Sequence, residues 1–215
     1  MQTENHQIID SGRLYQPQEI TADLALQLLQ EGHQRFQHGH SARVNLLQRV
    51  RETKDLPQPF ATVLSCMDSR VPAELIFDQT IGDIFNIRVA GNVVSSHILG
   101  SLEYTVLAAG VKLIVVMGHT ACGAVKSACN NVNLENLSGL LREVKISIPQ
   151  ELTENKDRHG ENESFVTKVA VLKVHRSVQQ ILEQSSVIRQ RADYGEIKIV
   201  PAMYDVSTGS VRFYP

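Results

Sequence analysis

Long hydrophobic runs are missing from this sequence. No stretch approaches the ~20 apolar residues of a membrane-spanning helix, which argues against a bilayer-embedded protein. Neither sign of charge dominates. The 21 Lys and Arg against 23 Asp and Glu leave a net charge of −2, without the basic footprint of a nucleic-acid or anionic-membrane binder. Cysteine is scarce: three cysteines cannot all pair within one chain, and they follow no secreted disulfide pattern. A reducing cytosol is the expected compartment, because thiols stay free there to bind metal. The opening residues MQTENHQIIDSGRLYQPQ lack the basic and apolar regions of a signal peptide. Gly91, Gly100 and Gly110 compose no Gly-x-Gly-x-x-Gly loop, so a dinucleotide site lacks its signature. There is no internal repeat and no low-complexity linker.

What is present is an ordinary globular composition, 42% hydrophobic and 20% charged over 215 residues. The length suits one domain spanning residues 1–215. Within it, residues 1–56 form a polar arm and helices, and residues 57–215 form an α/β core. An apolar stripe of Leu24, Leu26, Leu28, Leu29 and Phe36 predicts a helix from Thr21 to Gln37, with Thr21 as its cap. A second helix is expected from Val44 to Thr53. Phe60 to Ser65, Ile84 to Ala90 and Lys112 to Met117 are short and β-branched, and read as strands buried on both faces. His97 to Ala109 is a helix closed by Gly110. Further helices are expected over about Ala121 to Cys129, Leu137 to Lys145, and Phe165 to Arg191. The last of these carries Val166, Val169, Leu172, Val178, Ile181 and Leu182 on or near one face. Gln150 to Ser164 reads as an exposed loop or short helix. Two final strands flank the turn Ser207-Thr208-Gly209-Ser210, a hairpin signal. Strand–helix alternation predicts a mostly parallel central sheet flanked by helices, with N-terminal helical arms and a C-terminal β-hairpin.

Chemistry concentrates at two strand ends, where open α/β sheets gather their ligands. Cys66 closes the first strand in LSCMDSRVPAE; His119 and Cys122 follow the third in VVMGHTACGA. Two thiolates and an imidazole suit zinc, and three protein ligands leave a fourth position open. Each residue also has a plainer reading. A lone cysteine is most often a small buried hydrophobe. Asp68 and Ser69, just before Pro72 and Glu74, could simply cap a helix, with Arg70 a surface charge. The three soft ligands at two strand ends favour the metal. Cys129, seven positions past Cys122, is too far along its helix to share that metal and reads as packing. His33, His38 and His40 read as a solvated loop, and His175 as a packing or capping residue.

CMDSRVPAE together with GSLEYTVLAAGVKLIVVMGHTACGA resembles the β-class carbonic anhydrases, over about Gln58 to Val125 and more loosely at MYDVSTG. The resemblance implies zinc on Cys66, His119 and Cys122, an Asp68–Arg70 dyad, and reversible hydration of carbon dioxide to bicarbonate. It also implies a homodimer or dimer-based oligomer whose helical arms, residues 21–56, wrap a partner subunit. Phe85, Val89, Gly91 and Asn92 lie in the right segment to line an apolar substrate pocket. Gln58 stands near the place of a substrate-side hydrogen-bond donor, but one residue out of register, with Pro57 at the expected position. The chain has no tryptophan. Val63 occupies the place where family members with a bicarbonate-sensitive off state carry one, although Arg88 and Tyr204 match the other parts of that pocket; no strong bicarbonate lock is expected.

Two thiolates neutralise the metal's charge formally, and a neutral centre acidifies water less than a dicationic one. Activity is therefore expected to rise toward mildly alkaline pH. If Arg70 holds Asp68, the carboxylate stays off the metal and can accept a hydrogen bond; if Asp68 swings inward, it closes the fourth position. Two other functions remain open at this level: hydrolysis of carbon disulfide or carbonyl sulfide on the same scaffold, and a non-catalytic zinc-binding scaffold protein.

Overall fold

The computed structural model describes residues 20–42, 44–55 and 57–214. Apart from Ile20, the polar arm expected over residues 1–20 lies outside these residues. The chain order is α1 (Ala22–Gln37), α2 (Leu46–Thr53), β1 (Ala61–Ser65), α3 (Ala73–Ile76), β2 (Ile84–Arg88), α4 (Ser96–Leu107), β3 (Leu113–His119), α5 (Gly123–Cys129), α6 (Glu135–Lys145), α7 (Glu163–Gln184), α8 (Ser186–Asp193), β4 (Lys198–Tyr204) and β5 (Val211–Phe213). The five strands lie in the order β2-β1-β3-β4-β5. The first four run parallel, and β5 turns back antiparallel on β4 through the expected hairpin. Caps fall where small polar residues can accept the orphan amides of a first turn. Thr21, Asn45, Ser95, Asn162 and Ser185 each accept one.

Period-two alternation sorts the strands onto two cores. Leu64, Cys66, Ile114 and Val116 face a cluster built with α4 to α8. Ala61, Val63, Leu113, Val115 and Met117 face the other, where α1 and α3 pack with Leu29, Ile76 and Phe77. Fully burying each such side chain is worth about 1.5–3 kcal/mol, so both layers contribute to the fold. From β1 the chain moves to one side of the sheet, and from β3 to the other. The sheet thus has its topological switch point between the C-terminal ends of β1 and β3, the crevice where such folds place ligands.

Several expectations need correction. β1 and β3 are buried along their whole length, but β2 is only half-buried because it is the sheet edge. Helix 165–191 is broken at Ser185, whose hydroxyl caps α8 at Ile188 and donates to Glu103 at 2.6 Å. The stripe on α7 is also rotated: Lys173, Val174 and Ser177 are buried, while Leu172, Val178 and Leu182 are only half-covered. On α1 the buried face is Ala22, Ala25, Leu29, Gly32 and His33 rather than the leucine-rich stripe. Gly32 is obligatory, since a Cβ there would sit 1.9 Å from the Phe77 carbonyl. The segment 150–164 is a largely exposed loop, as the sequence predicts, pinned by Glu151, itself only 3% exposed. Its carboxylate accepts from the amides of Thr153 and Glu154 and from Arg158.

His33 is not a solvated loop residue. Its Nδ1 donates to the Ile76 carbonyl at 3.1 Å, and its Nε2 accepts from the Val211 amide at 2.9 Å. One neutral ring thereby ties α1 to α3 and β5. Burial lowers its pKa, because a buried imidazolium is poorly solvated. The unfolded chain therefore takes up this proton first as pH falls. Stability from this contact is complete above the unfolded value of about 6.5 and is lost as pH drops through the lowered folded value. Thermal denaturation should show a falling midpoint between about pH 7 and pH 5. His33→Gln, which cannot take the proton, should lose that part of the dependence.

Candidate metal centre

β1 delivers Cys66 to the switch point. The register pairs Ser65 with Met117 on one side and Arg88 on the other, so Cys66 emerges level with the end of β3. Arg88 then clamps the loop: its guanidinium donates to the Cys66 carbonyl at 3.1 Å and to the Asp68 carbonyl. His119 is the last residue of β3, paired with Tyr204 of β4. Before it, Gly118 leaves α7 room to cross the strand, since a Cβ would lie 2.5 Å from Val174 and 2.8 Å from the Met203 sulfur. Ala121 adopts a left-handed conformation (φ +53°) that turns the chain back and places Cys122 at the start of α5. That conformation costs a non-glycine residue roughly 1–2 kcal/mol. Strain of this kind marks a position that its surroundings hold in place.

Together these turns bring Cys66, His119 and Cys122 into one group whose ligand atoms all lie within 4.8 Å of one another. The two sulfurs are 4.0 Å apart. All three residues are buried, His119 at 1% exposure. The His119 Nδ1 donates to the Thr120 carbonyl at 2.9 Å. That fixes the ring and directs the other nitrogen inward, as in metal-ligating histidines. This Nε2 is buried and, among the described residues, has no hydrogen-bond partner. A buried lone pair with nothing to accept is costly; aimed at two thiols, it fits a soft divalent cation. The thiols share a proton. Cys122 and the amides of Asp68 and Gly91 favour a Cys66 thiolate, which in turn, with burial, pushes the Cys122 thiol up. A divalent cation is the natural replacement for that proton.

Asp68 and Arg70 complete the site. Asp68 Oδ1 accepts from the Arg70 amide and Nε, both at 2.9 Å, and Oδ2 accepts from the same guanidinium at 2.8 Å. The paired guanidinium holds the Asp68 carboxyl far below the usual carboxylate range. Asp68 Oδ2 is 4.0 Å from His119 Nε2, at the edge of the ligand group but turned toward Arg70. Arg70 also reaches the Ala121 carbonyl at 3.3 Å and so joins the two ligand loops. It is half-exposed, where an ion pair contributes little to stability. Asp68 does not cap α3, whose cap position is Pro72.

The other predicted residues are dispersed. Gly91 and Asn92 are buried in a short helical turn at Ala90–Asn92, both with positive φ, and the Gly91 amide faces the Cys66 sulfur. Val89 packs against the cluster that holds Cys66 and Cys122. Phe85 is half-buried on the edge strand, three residues before its end. Gln58 precedes β1, whereas Cys66 follows it; at ~3.3 Å per residue the strand alone separates them by roughly 16 Å. Gln58 therefore cannot serve the centre of its own chain. Tyr204 is buried in the cluster on the opposite face of the sheet. Cys129 is buried, and burial raises its thiol to about 11. His175 packs edge-on to Tyr214, and His38 stacks with His40 in an exposed turn. Lys173, Ser177 and Glu143 were passed over in the sequence. Their signal was Lys173 standing four residues after Val169 and four before Ser177, in the middle of an apolar stripe.

A parallel α/β sheet with a buried Cys-His-Cys group at its switch point, a carboxylate–guanidinium pair beside it, defines a candidate soft-metal centre with one side free. Comparison with known proteins places it among enzymes. Residues 61–211 match the family model described as carbonic anhydrase. Carbonic anhydrase 2 of Mycobacterium tuberculosis is 37% identical over 190 residues, 86% of this chain and 89% of that protein. The β-carbonic anhydrase of the fungal pathogen Aspergillus fumigatus shares the fold with a TM-score of 0.69 and 26% identity, covering 89% of each chain. A structure from a study of two tetrameric β-carbonic anhydrases of Sordaria macrospora gives a TM-score of 0.65 at 23% identity, covering 89% of this chain and 94% of that one. The chain belongs to the β-carbonic anhydrase family, enzymes whose general reaction is the hydration of carbon dioxide. Among the described residues, no helix is long and apolar enough to cross a membrane.

Proposed function

We propose that this chain catalyses the reversible hydration of carbon dioxide to bicarbonate and a proton, using a zinc ion held by Cys66, His119 and Cys122. The buried, unpartnered Nε2 of His119 beside two thiols carries this reading. Zinc so held supplies a Lewis acid that makes water a nucleophile near neutral pH. Arg70 keeps the Asp68 carboxylate off the metal and aims it as a hydrogen-bond acceptor for the attacking water. Val89 and Gly91, with Asn92 beside them, supply an apolar wall suited to a small nonpolar substrate, and Phe85 lies farther down the edge strand. Arg88 fixes the Cys66–Asp68 backbone so that ligand and acceptor keep one geometry. The product proton passes to buffer.

The functional unit is a homodimer or a dimer-based oligomer. Leu46, Leu47 and Val50 are exposed on α2, and β2 is an open edge. If Gln58 binds substrate, its position before β1 requires that it do so at the site of a second copy. Free buried thiols fit a reducing compartment such as the cytoplasm.

Stopped-flow hydration of carbon dioxide with zinc quantified tests this function. With two thiolates on the metal, the rate should rise from about pH 6.5 toward pH 9. Full metal occupancy with no rate above buffer would overturn it, and a flat profile would contradict the charge argument. Carbon disulfide assayed in parallel distinguishes the sulfur substrate from carbon dioxide.

A further inference from the structure

α7 carries a lysine in the interior. Lys173 is 1% exposed, as fully buried as the core around it. Its Nζ donates to Ser177 Oγ at 2.6 Å, one turn along the same helix. The Ser177 hydroxyl lies 2.9 Å from the Lys173 carbonyl and 3.4 Å from the Asn92 carbonyl. A buried ammonium with a single neutral partner is expensive, and such groups persist where a nearby negative charge uses them. Position identifies that charge. α7 crosses β3 at Gly118, where Val174 fills the space a Cβ would need, so Lys173 lies level with the strand end that carries His119. Ser177 and Gln180 of the same helix face the carbonyls of Asn92 and Val94, next to the Gly91 amide that faces Cys66. The ionisable groups that act on Lys173 are Glu143 from α6, Cys122 at the start of α5, and Arg176 on its own helix. Burial lowers the ammonium to about 8, while Glu143 and Cys122 raise it and Arg176 lowers it.

We propose that Lys173 is a positioning residue of the metal centre: a buried counter-charge behind the Gly91–Asn92 turn that faces Cys66, which draws electron density from the thiolates and which Glu143 partly offsets. This deepens the zinc reading and rests on it. Two thiolates make a zinc site electron-rich and slow to acidify water. A cation behind one of them reverses part of that effect, and the field of a carboxylate on the cation restores it. Lys173 acts through the thiolates and touches no substrate.

The test uses the full chain, wild type beside Lys173→Met and Glu143→Gln, each loaded with zinc for kinetics and with cobalt(II) for spectra. Lys173→Met keeps the length of the side chain and removes its charge. It should move the activity midpoint up by roughly half to one pH unit, and Glu143→Gln should move it down. In the cobalt protein, the sulfur-to-metal charge-transfer band should shift to longer wavelength in Lys173→Met, because the thiolates become better donors. It should shift to shorter wavelength in Glu143→Gln. A packing role for Lys173 does not produce shifts of opposite sign at the two positions. If Lys173→Met fails to fold, Lys173→Gln, which keeps a donor for Ser177 and loses the charge, takes its place in the comparison with Glu143→Gln. Profiles and bands that superimpose on wild type overturn the inference. A wild-type protein without hydration activity would overturn the proposed reaction, while the cobalt bands would still report on Lys173.

Discussion

Cys122→Ser should strip the protein of its metal and its activity together. The sulfur is 2% exposed, 4.0 Å from the Cys66 sulfur, and is offered back over the sheet by the strained turn at Ala121. A serine hydroxyl is a hard donor that keeps its proton near neutral pH, so the site would offer one thiolate and one imidazole, too few for a closed hold on zinc. Loss of residues that merely support a ligand costs about 10–100-fold in affinity or activity, so loss of the ligand itself should cost more than about 100-fold. The fold should survive, because both cores form on either side of the sheet without a metal. Metal analysis, stopped-flow hydration and circular dichroism together check this result. Stoichiometric zinc and undiminished hydration in Cys122→Ser would remove Cys122 from the ligand set.

Asp68→Asn should separate metal binding from turnover. The carboxylate accepts three hydrogen bonds from Arg70 and none from a ligand residue. Removing its charge should leave zinc content unchanged. An amide at this position presents an NH2 group to a guanidinium that has only donors, so the fork opens and the acceptor for the attacking water is lost. A positioned proton acceptor is worth about 10²–10⁴-fold, and a fall in kcat within that range is expected. Arg70→Ala should also lower the rate with full metal, since the freed Asp68 is 4.0 Å from His119 Nε2 and can turn onto the metal. Arg70→Lys should not rescue it, because one ammonium cannot make the two-pronged contact. Neither change should shift the melting temperature much, given the half-exposed guanidinium. Undiminished kcat in a zinc-replete Asp68→Asn protein would show that the pair has no part in the reaction.

The candidate metal-binding group could be read from the sequence because its signals are local. A cysteine closing a β-branched run, and His-x-x-Cys after another, place donors at strand ends whatever the rest of the chain does. Turn and cap chemistry was equally local, so Thr21 capped α1 as expected and the Ser207–Ser210 turn joined two antiparallel strands. Misreadings came where distant elements decide burial. A polar residue inside an apolar stripe reads as exposed, yet Lys173 and His33 are interior because α7 and α1 are docked by partners far along the chain. Ile84 to Arg88 has a core strand's composition, but its position at the sheet edge leaves it half-covered. The place of Gln58 in the sequence suggests a substrate contact without saying which copy's site it would serve. Only the direction of β1 shows that it lies at the wrong end of its own chain.

The sequence by itself determined the candidate donors and the strands that carry them, since both depend on residue type and short spacing. Tertiary structure alone decided that the donors meet. Cys66 and Cys122 are brought together by the parallel pairing of β1 with β3 and by a left-handed Ala121. Neither can be computed from local preference, because both follow from which surfaces the whole chain buries. The same packing turned the scarcity of cysteine into chemistry: of three thiols, the fold gathers two around one unpartnered imidazole nitrogen and leaves Cys129 in the core.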